Sequence, residues 1–203
     1  MAIAFYQRIG TTISNERRVC RITGDPLVAL AQQFQHHQAS DVTIASITDN
    51  AVISLFQQIQ SSAAFHGAPD HVVGSIANLR QHLFEASPPI EALVADQNGI
   101  AGVATFSHTY STFLTQPGLY LEDLFVTTDK RRQGIGTSLL SQVAQTAVER
   151  NCGRLEWMVQ NWNENAIAFY QKNGATILPD WRRCQLADKA LQDLANLDLK
   201  SKI

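Results

Sequence analysis

The chain has 203 residues, a length that suits one domain with an appendage or two very small domains. Hydrophobic residues make up 45% of it, which allows a packed core and excludes wholesale disorder. The 16 Lys and Arg residues against 18 Asp and Glu residues give a net charge of −2. That balance argues against non-specific nucleic-acid binding as the main function, because such binding needs a basic surface.

Alternating strands and helices are predicted along most of the chain. The predicted strands are residues 42–47, 90–96, 100–108, 119–126, 155–159, 175–178 and 181–186. The predicted helices are residues 51–60, 73–85, 137–150, 163–172 and 188–197. Loops are expected at 61–70 and 110–118. This alternation predicts an α+β domain of α/β type with a mixed sheet.

No apolar run approaches the roughly 20 residues that cross a bilayer, and the first ten residues lack the apolar stretch of a secretory signal. We therefore expect no membrane association and a cytoplasmic location. Four arginines within residues 1–37 leave an organellar transit peptide as an alternative. The three cysteines are odd in number and far apart, which is typical of thiols in a reducing compartment. The histidines lack metal-ligand spacing, so no metal site is expected.

A turn rich in Arg and Gly follows the strand at 119–126 and opens the helix at 137. Its residues are Arg131, Arg132, Gln133, Gly134, Ile135, Gly136 and Thr137. The first N–H groups of a helix have no intrahelical partner and attract anions. The glycines allow close approach of a ligand to the backbone, and arginine suits phosphate geometry. The turn therefore predicts a site for a phosphate-bearing cofactor.

Two common nucleotide motifs do not fit this turn. A Walker loop needs a Lys directly after its second Gly, and no Lys stands beside these glycines. A Rossmann fingerprint needs a third Gly at the position of Leu139.

The turn resembles the pyrophosphate-binding motif of the GCN5-related N-acetyltransferases (GNAT), which bind acetyl-CoA. The resemblance covers about residues 42–197. It is carried further by Tyr120-Leu-Glu-Asp-Leu-Phe-Val126, by Trp162-Asn-Glu-Asn-Ala-Ile-Ala-Phe-Tyr170 and by Asn173-Gly-Ala175. Together these segments resemble the branch that acetylates diamines, thialysine and ornithine. The resemblance implies a mixed, twisted sheet split into a V, acetyl-CoA as co-substrate, and a homodimer.

Acetyl transfer needs a group that deprotonates the amine, because an alkylammonium with a pKa of about 10 is not a nucleophile. Glu122 is the candidate, since it lies mid-strand among apolar residues, where loss of hydration would make its carboxylate a stronger base. The resemblance assigns the same role to Glu122. If strand alternation holds, Asp123 points to the opposite face. We therefore interpret Asp123 as structural or as a secondary amine-binding charge.

The resemblance also implies roles for residues along the cleft. Tyr170 would be the general acid that protonates the departing CoA sulfur. The backbone of Leu124, Phe125 and Val126 would pair with the pantetheine arm and stabilise the oxyanion. The further expected contacts are Asn163, Ala166 and Tyr170 for the cofactor, with Tyr110 and Trp162 beside Glu122 and Asp123 for the substrate.

The substrate is expected to be a small primary amine, such as a diamine, a polyamine, ornithine or a thialysine-like amino acid. Members that acetylate polyamines tend to carry an acidic residue near Ser111, and none is present here. That difference favours an amine with its own carboxylate over spermidine or spermine. A protein or peptide N-acetyltransferase and a non-catalytic acyl-CoA-binding regulator are the alternatives.

The two ends of the chain contain an internal repeat. Residues 5–31 align without a gap with residues 169–195 at an offset of 164, with eleven identities in 27 positions. We therefore divide the chain into an N-terminal extension, residues 1–40, and an acetyltransferase domain, residues 41–203. The extension lacks its own cofactor turn, so it would either pack against the main domain, mimic a subunit contact, or be a loosely ordered relic.

Overall fold

The computed structural model describes residues 2–36 and 41–196. The helices within these residues are α1 (Ala2–Arg8), α2 (Gly24–His36), α3 (Val52–Phe65), α4 (Ile76–Phe84), α5 (Ile135–Glu149), α6 (Glu164–Lys172) and α7 (Asp188–Ala195). The strands are β1 (Thr12–Ser14), β2 (Arg17–Ile22), β3 (Thr43–Ser46), β4 (Glu91–Asp96), β5 (Ile100–Ser111), β6 (Gln116–Val126), β7 (Leu155–Gln160), β8 (Thr176–Leu178) and β9 (Arg183–Gln185).

Seven of these strands form one sheet in the order β3-β4-β5-β6-β7-β2-β8. Neighbouring strands are antiparallel except β6 and β7, which are parallel. β6 and β7 pair at Leu119↔Leu155 and Tyr120↔Glu156. Beyond these two pairs β6 continues to Val126 and β7 to Gln160, so the strands diverge. The expected mixed sheet with a V-shaped split is confirmed.

The N-terminal segment lies inside this sheet. β2 fills the position between β7 and β8, and α2 packs against α5. Cys20, Ile22 and Leu30 are at most 1% exposed. The strand predicted at 181–186 shortens to β9, which pairs with β1 outside the seven-stranded sheet. The division of the chain at residue 40 stays a prediction, because residues 37–40 lie outside the described residues.

Three predicted boundaries differ from the observed ones for local reasons. α3 extends to Phe65, five residues into the loop predicted at 61–70, and Ser61 is accommodated in the helix because its hydroxyl donates to the Gln57 carbonyl (2.9 Å). α4 begins after Ser75, whose side chain caps it by accepting from the Asn78 N–H (3.2 Å). The loop predicted at 110–118 is mostly a hairpin, since β5 and β6 remain paired as far as Ser111↔Gln116.

Apolar side chains are buried on both faces of the sheet. One face packs against α2, α5 and α6, and its buried residues include Leu139, Leu155 and Trp157. The other face packs against α3 and α4 through residues that include Val52 and Phe125. The core on the α5 face includes residues of both β6 and β7, so it connects the two sides of the split.

Candidate active site

A bulge in β6 determines where its two acidic side chains point. Thr105 pairs with Asp123 and Phe106 with Leu121, which leaves Glu122 as the extra residue. Residues 119 and 121 before the bulge, and 124 and 126 after it, pack on the α5 face. Glu122 and Asp123 therefore lie on the same, opposite face. The expectation that they point to different faces is wrong, because the bulge interrupts the alternation.

Asp123 is the more buried of the two carboxyl groups. It accepts a hydrogen bond from the Ser62 hydroxyl of α3 (3.0 Å). Burial raises the pKa of Asp123, and the Ser62 hydrogen bond and the nearby His66 partly oppose this shift. Asp123 thus anchors α3 to β6 beneath the site.

Glu122 lies in a cavity of about 350 Å³. The cavity is lined by Val19, Tyr120, Glu122, Glu156, Met158, Trp181 and Arg183. Glu122 is exposed there and accepts a hydrogen bond from the Ser107 hydroxyl (3.0 Å). The expectation that it is desolvated among apolar residues is therefore wrong, because the bulge directs it into an open cavity. Its carboxylate can meet a ligand from solvent.

The second carboxylate of the cavity is already neutralised. Glu156 is 8% exposed and forms ion pairs with Arg21 (2.7 Å) and Arg154 (2.6 Å). Burial raises the pKa of the neighbouring Tyr120, while the charges of Arg183 and Glu122 act on it in opposite directions. Glu122 and Arg183 are the other charged residues of the cavity, and among the described residues neither forms an ion pair.

Tyr170 lies on the other side of the split, on α6. Its ring packs against Trp157 of β7 with centroids 4.7 Å apart, and the residue is 8% exposed. Burial raises the pKa of Tyr170 above its usual value, with smaller contributions from Cys20 and Asp123. The phenol therefore keeps its proton at neutral pH, which is the form that a general acid needs.

The turn before α5 has the backbone geometry of an anion site. Gly134 caps the helix in the left-handed region with φ 84°, and no atom lies within 4 Å of the position a Cβ would take. Gly136 follows, and a Cβ added there would lie 3.6 Å from the Phe169 ring. The first N–H groups of α5, from Ile135 to Thr137, follow the exposed Gly134 and belong to the turn in which a helix leaves its N–H groups without intrahelical partners. Arg132 also has a positive φ of 63°.

Arg131 and Gln133 hold the turn in place. The Arg131 Nε donates to the Val126 carbonyl (3.0 Å), and its guanidinium stacks over Phe65 (4.6 Å) and Phe125 (5.5 Å). Gln133 donates to the Asp129 carbonyl (3.3 Å). The Arg131 side chain thus fixes the end of β6 against α3.

The cleft edge of β6 carries the backbone of Leu124, Phe125 and Val126. These residues pair with β5 on one side, at Ala104, Val103 and Gly102. On the other side β7 has already diverged. Backbone groups that point into the split are therefore available to a ligand, apart from the Val126 carbonyl that Arg131 occupies.

The remaining predicted residues lie at the rim of the split or away from it. Asn163 caps α6, with its side-chain oxygen accepting from the Ala166 N–H (3.1 Å). Trp162 is 55% exposed and packs against Phe65 and His66 (5.9 and 6.0 Å). Tyr110 lies near the end of the β5–β6 hairpin, outside the Glu122 cavity. Neither Tyr110 nor Trp162, both predicted to contact the substrate, lines the Glu122 cavity.

Among the residues that line the cavity, sequence reasoning identified only Glu122 as a site residue. It missed six: Tyr120, Glu156 and Met158 on β6 and β7, and Val19, Trp181 and Arg183 in the repeated terminal segments. Tyr120 and Glu156 come together through the pairing of β6 with β7, and no local sequence pattern reveals where the terminal segments lie.

Among residues 2–36 and 41–196, no helix is both long and apolar enough to cross a membrane. Within the same ranges, no cluster of three or more His, Cys, Asp or Glu side chains has the arrangement of a metal site.

Known structures define the class of fold. An integron cassette protein from the mobile metagenome of V. cholerae superimposes with a TM-score of 0.64 at 23% identity, covering 77% of this chain and 99% of that one. An aminoglycoside acetyltransferase from a soil metagenomic sample gives a TM-score of 0.58 at 22% identity, covering 66% and 88%. The fold is that of the GNAT acetyltransferases.

Sequence comparison gives the family. Residues 54–175, more than half of the chain, match the model of the acetyltransferase (GNAT) family. The chain therefore belongs to the GNAT family of acetyl-CoA-dependent N-acetyltransferases, as its motifs predict. The L-ornithine N5-acetyltransferase NATA1 of Arabidopsis thaliana is 43% identical over 100 residues, which cover 49% of this chain and 44% of that relative. A thialysine N-epsilon-acetyltransferase of Caenorhabditis elegans is 32% identical over 128 residues, which cover 63% and 78%.

Proposed function

We propose that this protein transfers the acetyl group of acetyl-CoA to the primary amine of a small molecule. This proposal rests on the positions of Glu122 and Tyr170. The Glu122 cavity and the Tyr170 phenol flank the split between β6 and β7 from opposite faces of the sheet. An amine and a thioester that meet in this split would have a proton acceptor on one side and a proton donor on the other.

The proposed reaction is a direct transfer. Glu122 takes a proton from the ammonium, directly or through a water, and the free amine attacks the thioester carbonyl. Backbone N–H groups on the cleft edge of β6 stabilise the negative oxygen that develops. When the carbon–sulfur bond breaks, Tyr170 donates its proton to the CoA thiolate. The nitrogen loses its second proton, which restores the Tyr170 phenol through solvent, and Glu122 releases its proton to solvent. The products are the N-acetylated amine and CoA.

The α5 turn is the proposed site of the CoA diphosphate. The N–H groups of residues 134–137 and the positive end of the helix dipole attract it, and Arg132 adds charge. The pantetheine arm would lie along β6 at Leu124, Phe125 and Val126 and reach toward Asn163 and Ala166.

If the α5 turn binds the CoA diphosphate, glycine is required at position 134. Gly134→Ala forces a Cβ into the left-handed region, which costs about 1–2 kcal/mol of stability and moves the N–H groups of the turn. We expect its affinity for acetyl-CoA, measured by calorimetry, to fall roughly tenfold. Gly67→Ala is the matched control, because Gly67 has φ 70° and equally open surroundings but lies after α3. An equal loss of affinity in both variants would contradict the assignment.

Glu122 is tested through the pH dependence of transfer. Glu122→Gln keeps the hydrogen bond from Ser107 but cannot accept the proton, so we expect transfer at pH 7 to fall about 100-fold. The deficit should shrink as the pH approaches about 10, because the free amine then forms without help. A deficit that stays constant from pH 7 to pH 10 would argue against the role of Glu122 as a base.

The charges of the cavity favour an acceptor that carries its own carboxylate. Glu122 offers one negative charge for the amine, Glu156 is neutralised by two arginines, and Arg183 offers a positive charge. A polyamine would need several free carboxylates instead. Curated relatives that acetylate ornithine and thialysine support this choice. We therefore propose a diamino acid as the acceptor.

Arg183→Ala tests the carboxylate contact. We expect the KM for ornithine to rise roughly tenfold, because a charge-assisted hydrogen bond is lost, with kcat little changed. Butane-1,4-diamine, which lacks the carboxylate, serves as the control substrate and should keep its KM. An equal rise for both substrates would contradict a carboxylate contact at Arg183.

One assay separates the function from its alternatives. CoA thiol release would be measured with acetyl-CoA and a panel of ornithine, lysine analogues, diamines, polyamines and peptides. Turnover with the diamino acids above the other amines supports the proposal, and preference for peptides favours a protein acetyltransferase. Binding of acetyl-CoA without turnover on any amine favours a regulator. A homodimer in the cytoplasm remains part of the proposal and is tested by sedimentation and by fractionation.

A further inference from the structure

The repeated segments at the two ends exchange partners within the chain. At the offset of 164, β1 corresponds to β8, β2 to β9, and α2 to α7. β8 does not pair with β9, which follows it in sequence, but with β2 of the other copy. β9 in turn pairs with β1. The two hairpins are therefore formed crosswise between the copies.

Both crosswise pairings have the same register. Ile177 pairs with Cys20, and the corresponding residue Ile13 pairs with Cys184. Their neighbours agree as well, since Thr176 pairs with Arg21, and Thr12 with Gln185. Each copy therefore presents the same hairpin surface to the other.

We call the place occupied by β2 and α2, between β7 and β8 and against α5, the slot. Several of the buried residues that fill it are shared by the two copies. Cys20, Leu27, Leu30 and Ala31 are at most 3% exposed, and each is identical in the C-terminal copy. Yet the counterpart of Leu27 in that copy, Leu191, is 51% exposed. The displaced C-terminal copy thus retains apolar residues that suit the slot but does not bury them there.

The copies differ at positions that face away from the slot, toward the cavity. Val19 corresponds to Arg183, and Arg21 to Gln185. Arg21 donates to Glu156 on β7 (2.8 Å) and stacks over Trp181 (4.7 Å). Gln185 has no charge with which to pair Glu156. The N-terminal copy is therefore the stronger occupant, and it holds the other copy against the cavity.

We propose that the slot accepts either copy, and that the copy seated there determines the wall of the Glu122 cavity. With β2 seated, Val19 lines the cavity, and the displaced copy adds Trp181 and Arg183. With β9 seated, Arg183 takes the place of Val19, and Arg21 leaves Glu156. That this cavity binds the acceptor rests on the proposed function, whereas competition for the slot does not.

The native residues Cys20 and Cys184 allow disulfide mapping to identify which strand, β2 or β9, occupies the slot in the full chain. In the variant Ile177→Cys, the new thiol lies opposite Cys20 when β2 is seated, and opposite Cys184 when β9 is seated. Directly opposed residues of antiparallel strands have Cα atoms about 4.5–5.5 Å apart, within disulfide range. After oxidation by oxidised glutathione, peptide mapping should find the bond to Cys20. A bond to Cys184 alone, or one that joins two chains, would overturn the intrachain exchange.

The competition for the slot is tested in the Ile177→Cys variant by substitutions that should improve the fit of the C-terminal copy to the slot. Arg183→Val with Gln185→Arg gives β9 the residues with which β2 contacts β7 and Glu156. We expect the fraction of chains bonded through Cys184 to rise several-fold. Leu27→Ala with Leu30→Ala should act in the same direction by weakening the N-terminal copy. The matched control, Leu191→Ala with Leu194→Ala, should keep the bond at Cys20.

The proposal would be overturned if the variant with Arg183→Val and Gln185→Arg stayed folded and kept the same fraction of chains bonded through Cys20. It would also be overturned if the variant with Leu27→Ala and Leu30→Ala unfolded without forming a bond to Cys184. The readout is a covalent map and needs no enzyme activity. A failure of the slot proposal is therefore distinguishable from a failure of the transferase proposal.

Discussion

The Tyr170→Phe variant should lose roughly 10²- to 10⁴-fold in kcat, because removing the phenol proton leaves the CoA thiolate without an acid as it departs. The ring contact with Trp157 at 4.7 Å does not involve the hydroxyl, so the fold should be retained. Acetyl-CoA affinity measured by calorimetry should change little. The two measurements together separate a loss of chemistry from a loss of binding.

The repeat supplies the control for this variant. Tyr6 is the counterpart of Tyr170, lies on α1 and is 41% exposed. Tyr6→Phe should leave kcat unchanged. Full turnover of Tyr170→Phe across the pH range would refute the general-acid role.

A second large effect is expected from Leu27→Ala, which should lower the free energy of unfolding by about 2–5 kcal/mol. Leu27 is 3% exposed within the core that α2 shares with α5, so truncation leaves a cavity. Leu191→Ala makes the same chemical change at the matching repeat position, where the side chain is 51% exposed. Its effect should stay within about 0.5 kcal/mol.

Urea denaturation of both variants measures the difference. Equal destabilisation by Leu27→Ala and Leu191→Ala would mean that the two copies bury their leucines to the same extent, contrary to the structure. The pair is informative because each leucine is the fourth residue of its helix, so residue type and helix position are the same in the two variants.

Local chemistry made part of this protein predictable from its sequence. The Arg/Gly turn could be identified because the spacing of Gly134 and Gly136 after a strand is a local pattern. The core strands and the helix α5 were visible from hydrophobic periodicity alone. The family could be inferred for the same reason, since its motifs are short and contiguous.

The rest depended on non-local geometry. A single extra residue in β6 decides that Glu122 and Asp123 share a face, and nothing in the local sequence identifies it. Arg183 lines the cavity from β9, which lies outside the seven-stranded sheet, and no local sequence pattern predicts that position. The two copies pair in equivalent registers, so their similarity alone does not predict which one enters the sheet, and the contact of Arg21 with Glu156 that distinguishes them is non-local.

The position of β2 has a consequence for the order in which the molecule is made. Arg21 leaves the ribosome early, but its partner Glu156 follows 135 residues later. During that interval the core residues of β2 and α2, such as Cys20, Ile22 and Leu30, have been synthesised without the neighbours that will cover them. Long sequence separation of this kind slows folding and lengthens exposure to aggregation. The sheet should therefore be completed only after β7 and β8 have been synthesised, when β2, which was made long before them, pairs with both.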